Sequence, residues 1–370
     1  MKSIIYVGMD VHKETYSMCC YSMENQSCFA EIQIESEIKA VMKYLRRVQA
    51  NYGAPCEFVC AYEAGCIGYS LYHELAAEGV ECVIMAPTTM HKPANQSKKK
   101  NDRRDARLIS QNLAYNTYKA VHVPTIQDDA IKEYIRMRNN CRDALKATQQ
   151  HILAFLLRHN LKYSEGKKHW TPKHLVWLRK IDLGGVLQET LDEYVAIYYQ
   201  ERDKLDRLNE RINELSKLPE YLDRVKRLCC FKGIAPYTAL STIVEIGDFS
   251  RFPTAKHFSA YLGLVPGEKS SGSKEVYIGL TKAGNATVRT LMVEAAQSIC
   301  RGNIGFKSKL LQSKQAGSDP SVIAYADKAR ERLQRKFHKL RFSHCHNAAI
   351  GAVARELSCF VWGMMTDRIV

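Results

Sequence analysis

The sequence predicts a mixed α/β N-terminal unit followed by two mainly helical ones, and three observations carry that prediction. Before residue 123, short apolar runs alternate with stretches of helical periodicity. Between residues 131 and 215, apolar side chains recur at steps of three and four over two long segments. The 370 residues also exceed what one core fills, since domains usually run about 100 to 200 residues. The patterns divide the chain at 1–125, 126–218 and 219–370.

In the first unit, Ile4–Met9 and Tyr16–Tyr21 read as strands joined by a short polar turn, with Cys28–Ile34 as a third. Glu37–Ala50 is helical by its apolar spacing at Ile38, Val41, Leu45 and Val48. Cys56–Tyr62 makes a fourth strand, Tyr69–Ala77 a helix and Val80–Met85 a fifth strand. Three strands in series and then strand–helix–strand imply a mixed sheet with helices on its faces, the element order of an RNase H-like fold.

In the second unit, Ile131, Ile135, Cys141, Leu145, Thr148, Ile152 and Phe155 mark one long helix. Leu191, Val195, Tyr198, Leu205, Leu208, Ile212 and Leu215 mark another. Such a pair predicts a coiled-coil arm, either an intramolecular hairpin or a dimerisation surface, with Tyr163–Pro172 as a polar, basic loop. Pro219 opens the third unit. There the Gly-containing segment Phe231–Pro236 precedes a helix over Tyr237–Ile246, and reads as a helix cap or as a phosphate-facing turn. A loop at Gly263–Lys274 is followed by a helix over Asn285–Cys300. Lys328–Arg341 carries seven Lys and Arg against Glu331 alone, which reads as a basic helical tail for a nucleic-acid backbone.

Charge narrows the function. Lys plus Arg number 54 against 39 acids, a net charge of +15, which favours a polyanionic partner through phosphate neutralisation. No run approaches the roughly 18 to 20 apolar residues of a membrane span, and the N-terminus does not read as a signal peptide. A soluble protein of the cytoplasm is expected. The thirteen cysteines include no CxxC pair and sit in apolar runs, the pattern of reduced, buried thiols. His344-Cys345-His346 is the one dense soft-ligand cluster, but adjacent residues rarely converge on a tetrahedral zinc.

Four acids suit chemistry on phosphodiesters. Asp10 and Glu63 fall at the ends of the first and fourth strands, while Asp102 and Asp105, three apart, share one face of a helix start. Oxygen ligands on rigid elements are what hard divalent cations require, and two Mg²⁺ ions about 4 Å apart would stabilise the attacking and leaving oxygens of a phosphodiester displacement. Turn closure and helix capping are the mundane alternatives. Lys98, Lys99, Lys100, Arg103, Arg104 and Arg107 crowd the same stretch, as expected where metal and phosphate meet. A serine beside glycine in the loop Leu262–Gly272 is normally a solvent-facing linker, and composition does not single out Ser271.

Taken together, GMDVHK, the YEAG containing Glu63, KNDRRDAR, GLVPGEKSSG and TKAGNATVRTLMVEAA resemble one family over nearly the whole chain. It is the insertion-sequence transposases with a RuvC-like DEDD domain and a serine-bearing C-terminal domain (bridge-RNA-guided recombinases), related to DNA invertases of the Piv type. The resemblance implies that Asp10, Glu63, Asp102 and Asp105 are ligands of Mg²⁺. It also implies that Ser271, in the PxxxxSG pattern from Pro266, is the nucleophile forming a transient phosphoserine link, with Ser270 as the adjacent alternative. Lys98, Lys99, Lys100, Arg103, Arg104, Arg107, Lys269, Lys274, Lys282, Arg289, Arg335, Lys336, Lys339 and Arg341 would contact nucleic acid. The implied partners are donor and target DNA, a structured non-coding guide RNA and further copies of the chain, as dimer or tetramer, at a prokaryotic nucleoid. The FKGIA segment departs from the family, which usually has a proline and a second glycine there. The competing expectations are a RuvC-like nuclease using water, a Piv-type invertase, and a non-catalytic nucleic-acid-binding protein with a decayed RNase H-like domain.

Overall fold

A computed structural model describes residues 3–65, 67–91, 101–268 and 277–369. Lys98, Lys99, Lys100, Lys269, Ser270, Ser271 and Lys274 lie outside the described residues. The chain forms two compact units, Met1–Val123 and Pro124–Val370.

The first unit is a five-stranded mixed sheet, β1 (Ser3–Val11), β2 (Thr15–Ser22), β3 (Ser27–Glu35), β4 (Cys56–Glu63) and β5 (Glu81–Met85), in the order β3-β2-β1-β4-β5. The three N-terminal strands are antiparallel neighbours, while β1, β4 and β5 run parallel. All five strands and the helices α1 (Ile38–Tyr52) and α2 (Ser70–Ala77) fall where the periodicity predicts them. Ile5, Val7 and Met9 alternate into the face they share with Cys60, Tyr62, Val41, Leu45 and Leu75. The opposite face is covered by α3 (Asp102–Ala114), whose Ile109 and Leu113 pack with Ala61 and Met85. Both faces of β1 are therefore buried, which explains its continuous apolar run.

Gly8 allows α3 to approach. A Cβ at this position would lie 2.0 Å from the carbonyl oxygen of Ala106 and 2.4 Å from the backbone nitrogen of Ser110. Helix and strand are in backbone contact there. Asn101 caps the helix by accepting from the Arg103 N–H. At the other end the buried Asn112 ties two loops to α3: its Oδ1 accepts from the His91 N–H at 2.9 Å and the Thr117 hydroxyl at 2.7 Å.

In the second unit, α4 (Ile126–Arg158) and α6 (Gly185–Leu215) are the expected long helices and pack along each other. Between them the structure adds α5 (Pro172–Arg179), opened by the Thr171 cap and Pro172 at its first turn. The expected polar loop before it is instead partly aromatic: Tyr163, His169, Trp170 and Trp177 surround the buried His174. Burial, reinforced by His169, holds the His174 imidazole down to about 4, so it is neutral at ordinary pH. Ile131, Ile135 and Ile212 share one core with α7 (Pro219–Cys229) and α8 (Pro236–Ile246), so the roots of the long helices belong to the C-terminal core.

One open alternative is decided there and one expectation is corrected. The Phe231–Pro236 turn is an internal cap: the Lys232 ammonium donates to the carbonyls of Arg301 and, at 3.4 Å, Ile299, at the end of α10 (Ala286–Ile299). Nor is Lys328–Arg341 basic all round. It belongs to α12 (Pro320–Leu340), which follows α11 (Lys309–Gln315) and buries Ala329, Leu333, Gln334, Phe337 and even Arg330. Alternating charged with apolar positions at helical spacing hides such a face when only the charges are counted. Contrary to the expectation that no run approaches a membrane span, the last helix, α13 (His346–Met365), is long and apolar enough to cross one by composition, and 61% of that stretch is buried inside the protein as core. Every described cysteine is free, as expected, and burial pushes the Cys20 and Cys82 thiols up to about 12.

After α9 (Ala255–Tyr261), the strands β6 (Pro266–Glu268) and β7 (Tyr277–Leu280) pair antiparallel. Their feet are locked together: Thr281 N–H donates to Val265, Lys282 to Gly263 and Asn285 to Tyr261. Gly284 sits at φ +90 with its missing Cβ 2.0 Å from the Tyr261 carbonyl. Asn285 then caps α10 through the Val288 N–H and receives support from Glu245, 3.0 Å from its amide.

Gly8→Ala should lower unfolding free energy by at least about 3 kcal/mol, because backbone rather than a flexible side chain must move. Gly53→Ala, at φ +76 in open space, should cost only the left-handed backbone penalty of about 1 kcal/mol. Urea titrations of both variants check this, and equal midpoints would contradict it. Gly284→Ala should behave like Gly8→Ala, since backbone strain and overlap coincide.

Candidate catalytic site

The sheet places its acids by register. β1 and β4 are parallel neighbours with Met9 opposite Tyr62, so Asp10 and Glu63 occupy the next positions on adjacent strands. Side chains alternate across a sheet. Asp10 therefore shares the α3 face with Gly8, and Glu63 shares it with Ala61. Helix α3 runs antiparallel to β1, with Ser110 and Ala106 over Gly8 and its N-terminus over Asp10. Asp102 and Asp105 continue the inward stripe of Ala106, Ile109 and Leu113, and both are half-buried.

The result is a compact cluster. Ligand atoms of Asp10, Asp102 and His12 all lie within 4.8 Å of one another. The His12 Nε2 stands 3.3 Å from Asp10 Oδ2 and 3.7 Å from Asp102 Oδ1. Glu63 and Asp105 lie on the same side but do not join that three-way contact. Asp10 is 16% exposed and Asp102 43%, so the cluster is anchored on one side and open to solvent on the other. His12 is the member that the acids alone do not reveal; its signal in the sequence is its place two residues after Asp10, in the turn closed by its own N–H to Thr15.

Two carboxylates this close, one mostly buried and one half-exposed, suit a hard divalent cation, which takes oxygen ligands. They also face the positive end of the α3 dipole. The imidazole between them can accept or donate a hydrogen bond and can fill a ligand position.

The basic residues divide. Arg103 and Arg104 point outward from α3 and are exposed. Arg107 forms a fork with Glu31 on β3, with Nη2 to Oε2 at 2.7 Å, which ties α3 to the sheet edge and raises the guanidinium's affinity for its proton. In the second unit, Arg289 donates to the Leu262 carbonyl at 2.9 Å, Arg335 lies 3.6 Å from Glu331, and Lys336 lies 2.7 Å from Glu356. Lys282, Lys339 and Arg341 are exposed. The segment containing Ser270 and Ser271 connects β6 to β7; the described residues on either side of it, Glu268 and Tyr277, are paired, and the locked feet lie at the other end of the two strands.

Comparison with known proteins supplies the lineage. Residues 7–160 match the model of a DEDD transposase of IS110 elements, and residues 225–310 match the transposase model of the IS116/IS110/IS902 family. The chain is 30% identical to a putative transposase, y4qE, of Sinorhizobium fredii over 98% of its own length and 88% of that protein's. It is 28% identical to the transposase for insertion sequence element IS1533 of Leptospira borgpetersenii, covering 92% of this chain and 98% of the relative. A pilin gene-inverting protein of Moraxella bovis is 23% identical over 87% of this chain and 91% of its own. The chain is thus a member of the IS110/IS116/IS902 family of transposases.

Proposed function

We propose that this transposase cuts and rejoins DNA with two chemical parts, an RNase H-like acidic centre around Asp10 and Asp102 and a serine nucleophile, Ser271, carried by the β6–β7 hairpin. The observation that carries the reading is the convergence of Asp10, His12 and Asp102 where α3 begins. Asp10 and Asp102, with Glu63 and Asp105 on the same face, would hold two divalent cations, Mg²⁺ first, whose chemistry is to polarise a phosphate and offset charge on its oxygens. His12 orients the two carboxylates.

At the serine, the Ser271 oxygen forms a bond to phosphorus as the bond to one deoxyribose oxygen breaks. The hydroxyl proton leaves to a base, and the released deoxyribose oxygen takes one up. Because one ester replaces another, the reverse attack by a second strand's hydroxyl rejoins DNA without a nucleotide cofactor. Ser270, its neighbour in sequence, is the alternative nucleophile. The exposed Arg103 and Arg104, with Lys98, Lys99 and Lys100 before them, supply phosphate-neutralising charge near the acids. A structured guide RNA would leave sequence choice to base pairing. The paired helices α4 and α6 would serve as an arm joining two or four copies, a coiled coil between subunits. The work belongs at the nucleoid, on donor and target DNA.

A second reading, hydrolysis by the acid cluster alone, is favoured because Asp10, His12 and Asp102 all belong to the first unit. The two differ in one product, since hydrolysis leaves no protein–DNA adduct.

Asp102→Asn keeps the shape and removes a charge from the cluster. It should reduce strand exchange by at least on the order of a hundredfold, measured on supercoiled donor and target DNA; unchanged turnover would refute the assignment. Ser271→Ala should abolish both exchange and the adduct seen on denaturing gels while DNA binding persists. Recombination at full rate by that variant removes Ser271 from the mechanism.

A further inference from the structure

The turn between α12 and α13 has features that neither the acid cluster nor the serine uses. From residue 333 to 354 the chain contains no acid, while Arg335, Lys336, Lys339 and Arg341 fall within it. Phe342 at the apex is 93% exposed. The turn is ordered rather than loose: the N–H groups of Ser343 and His344 both donate to the Leu340 carbonyl, at 3.1 and 2.9 Å. Phe337 beneath it packs edge-on against His346, ring centroids 5.6 Å apart.

Beside the turn is a recess of ≈ 490 Å³, with Pro266 and Leu280 of the hairpin on one wall and Lys336, His344, Asn347 and Arg355 on the other. The Lys336 ammonium lies 2.7 Å from Glu356, and Arg332 shares that carboxylate, so the three groups retain one net positive charge. Arg355 makes no side-chain hydrogen bond or ion pair among the described residues, although it is half-buried in the wall. A guanidinium held without an acid partner against an apolar wall offers a fork of donors shaped for a phosphate.

An isolated exposed phenylalanine is ordinary. Here it stands two residues before His344, which lines a positively charged recess, and this recess adjoins Pro266 and Leu280 of the hairpin that carries the serine segment. Aromatic faces beside a cationic groove are how proteins hold unpaired strands, one stacking on a base and the other tracking the backbone. Strand exchange requires such a strand, because bases next to a cut must leave their old partners before joining new ones.

We propose that the α12–α13 turn and its recess bind an unpaired stretch of the DNA strand next to the reacting phosphate, a base stacking on Phe342 and a backbone phosphate lying against Arg355 and Lys336. The proposal deepens the recombinase reading and rests on it for the identity of the strand as DNA. Its test is equilibrium binding, which requires neither Ser271 nor the acids, so failure of the chemistry and failure of this site are separable.

Fluorescence anisotropy with the full-length protein would compare a labelled single-stranded DNA, its duplex and a single-stranded RNA of the same sequence. Phe342→Ala should weaken single-stranded DNA binding about tenfold and leave duplex binding unchanged, with an unaltered thermal unfolding curve. Phe342→Trp should restore affinity and show indole quenching on addition of the strand. Arg355→Gln should reduce the slope of log affinity against log salt by about one. An equal loss for single-stranded and duplex DNA, no loss for either, or a loss confined to RNA would each overturn the proposal.

Discussion

The contact between α3 and β1 at Gly8 sets the geometry of the acidic centre. Backbone meets backbone there, and the absence of a side chain at one residue fixes how far the helix sits from the sheet. From that contact the helix runs back over the strand and delivers Asp102 beside Asp10. A helix held a few ångströms further out would leave the same four acids in the same order along the chain but too far apart to share an ion. Asn101, Asn112 and the Arg107–Glu31 fork hold the helix in this position from its two ends and its flank.

A similar device recurs in the second unit. The GLVPGE and TKAGN motifs meet because Gly284 lies against Tyr261, and the hydrogen bonds from Thr281, Lys282 and Asn285 close the foot of the β6–β7 hairpin. Within each unit, positive charge is used in two ways. Some cations, such as Lys232, Arg330 and Arg107, hold the protein's own carbonyls and acids. Others, such as Arg103, Arg104 and Arg355, remain available for phosphate.

This division also explains what the sequence revealed. The strands and helices of the first unit were legible because period-two and period-3.6 patterns are set by burial on one or both faces. Asp10 and Glu63 were legible as strand-end acids, and Asp102 and Asp105 by their spacing. The convergence of Asp10 with Asp102 was implied by the family resemblance but not by any local pattern, because it depends on a close approach at a glycine, and single glycines look alike in sequence. His12 escaped for a related reason: a histidine in a turn carries no signal until its neighbour in space is known. Helix α5 was hidden by its brevity, though Thr171-Pro172 marks its start. The basic face of α12 was misread because charge was counted without the apolar stripe between the charges. The role of Ser271 came through resemblance to a family rather than through any physical constraint on its neighbours.

Asp10 and Asp102 are proposed to meet in order to hold a divalent cation. Crystals of the full chain grown with Mn²⁺ and measured at the manganese absorption edge test it directly. Anomalous density within coordination distance of both carboxylates, about 2.2 Å, is the result expected. Density elsewhere, or none between these two residues at saturating Mn²⁺, would contradict it.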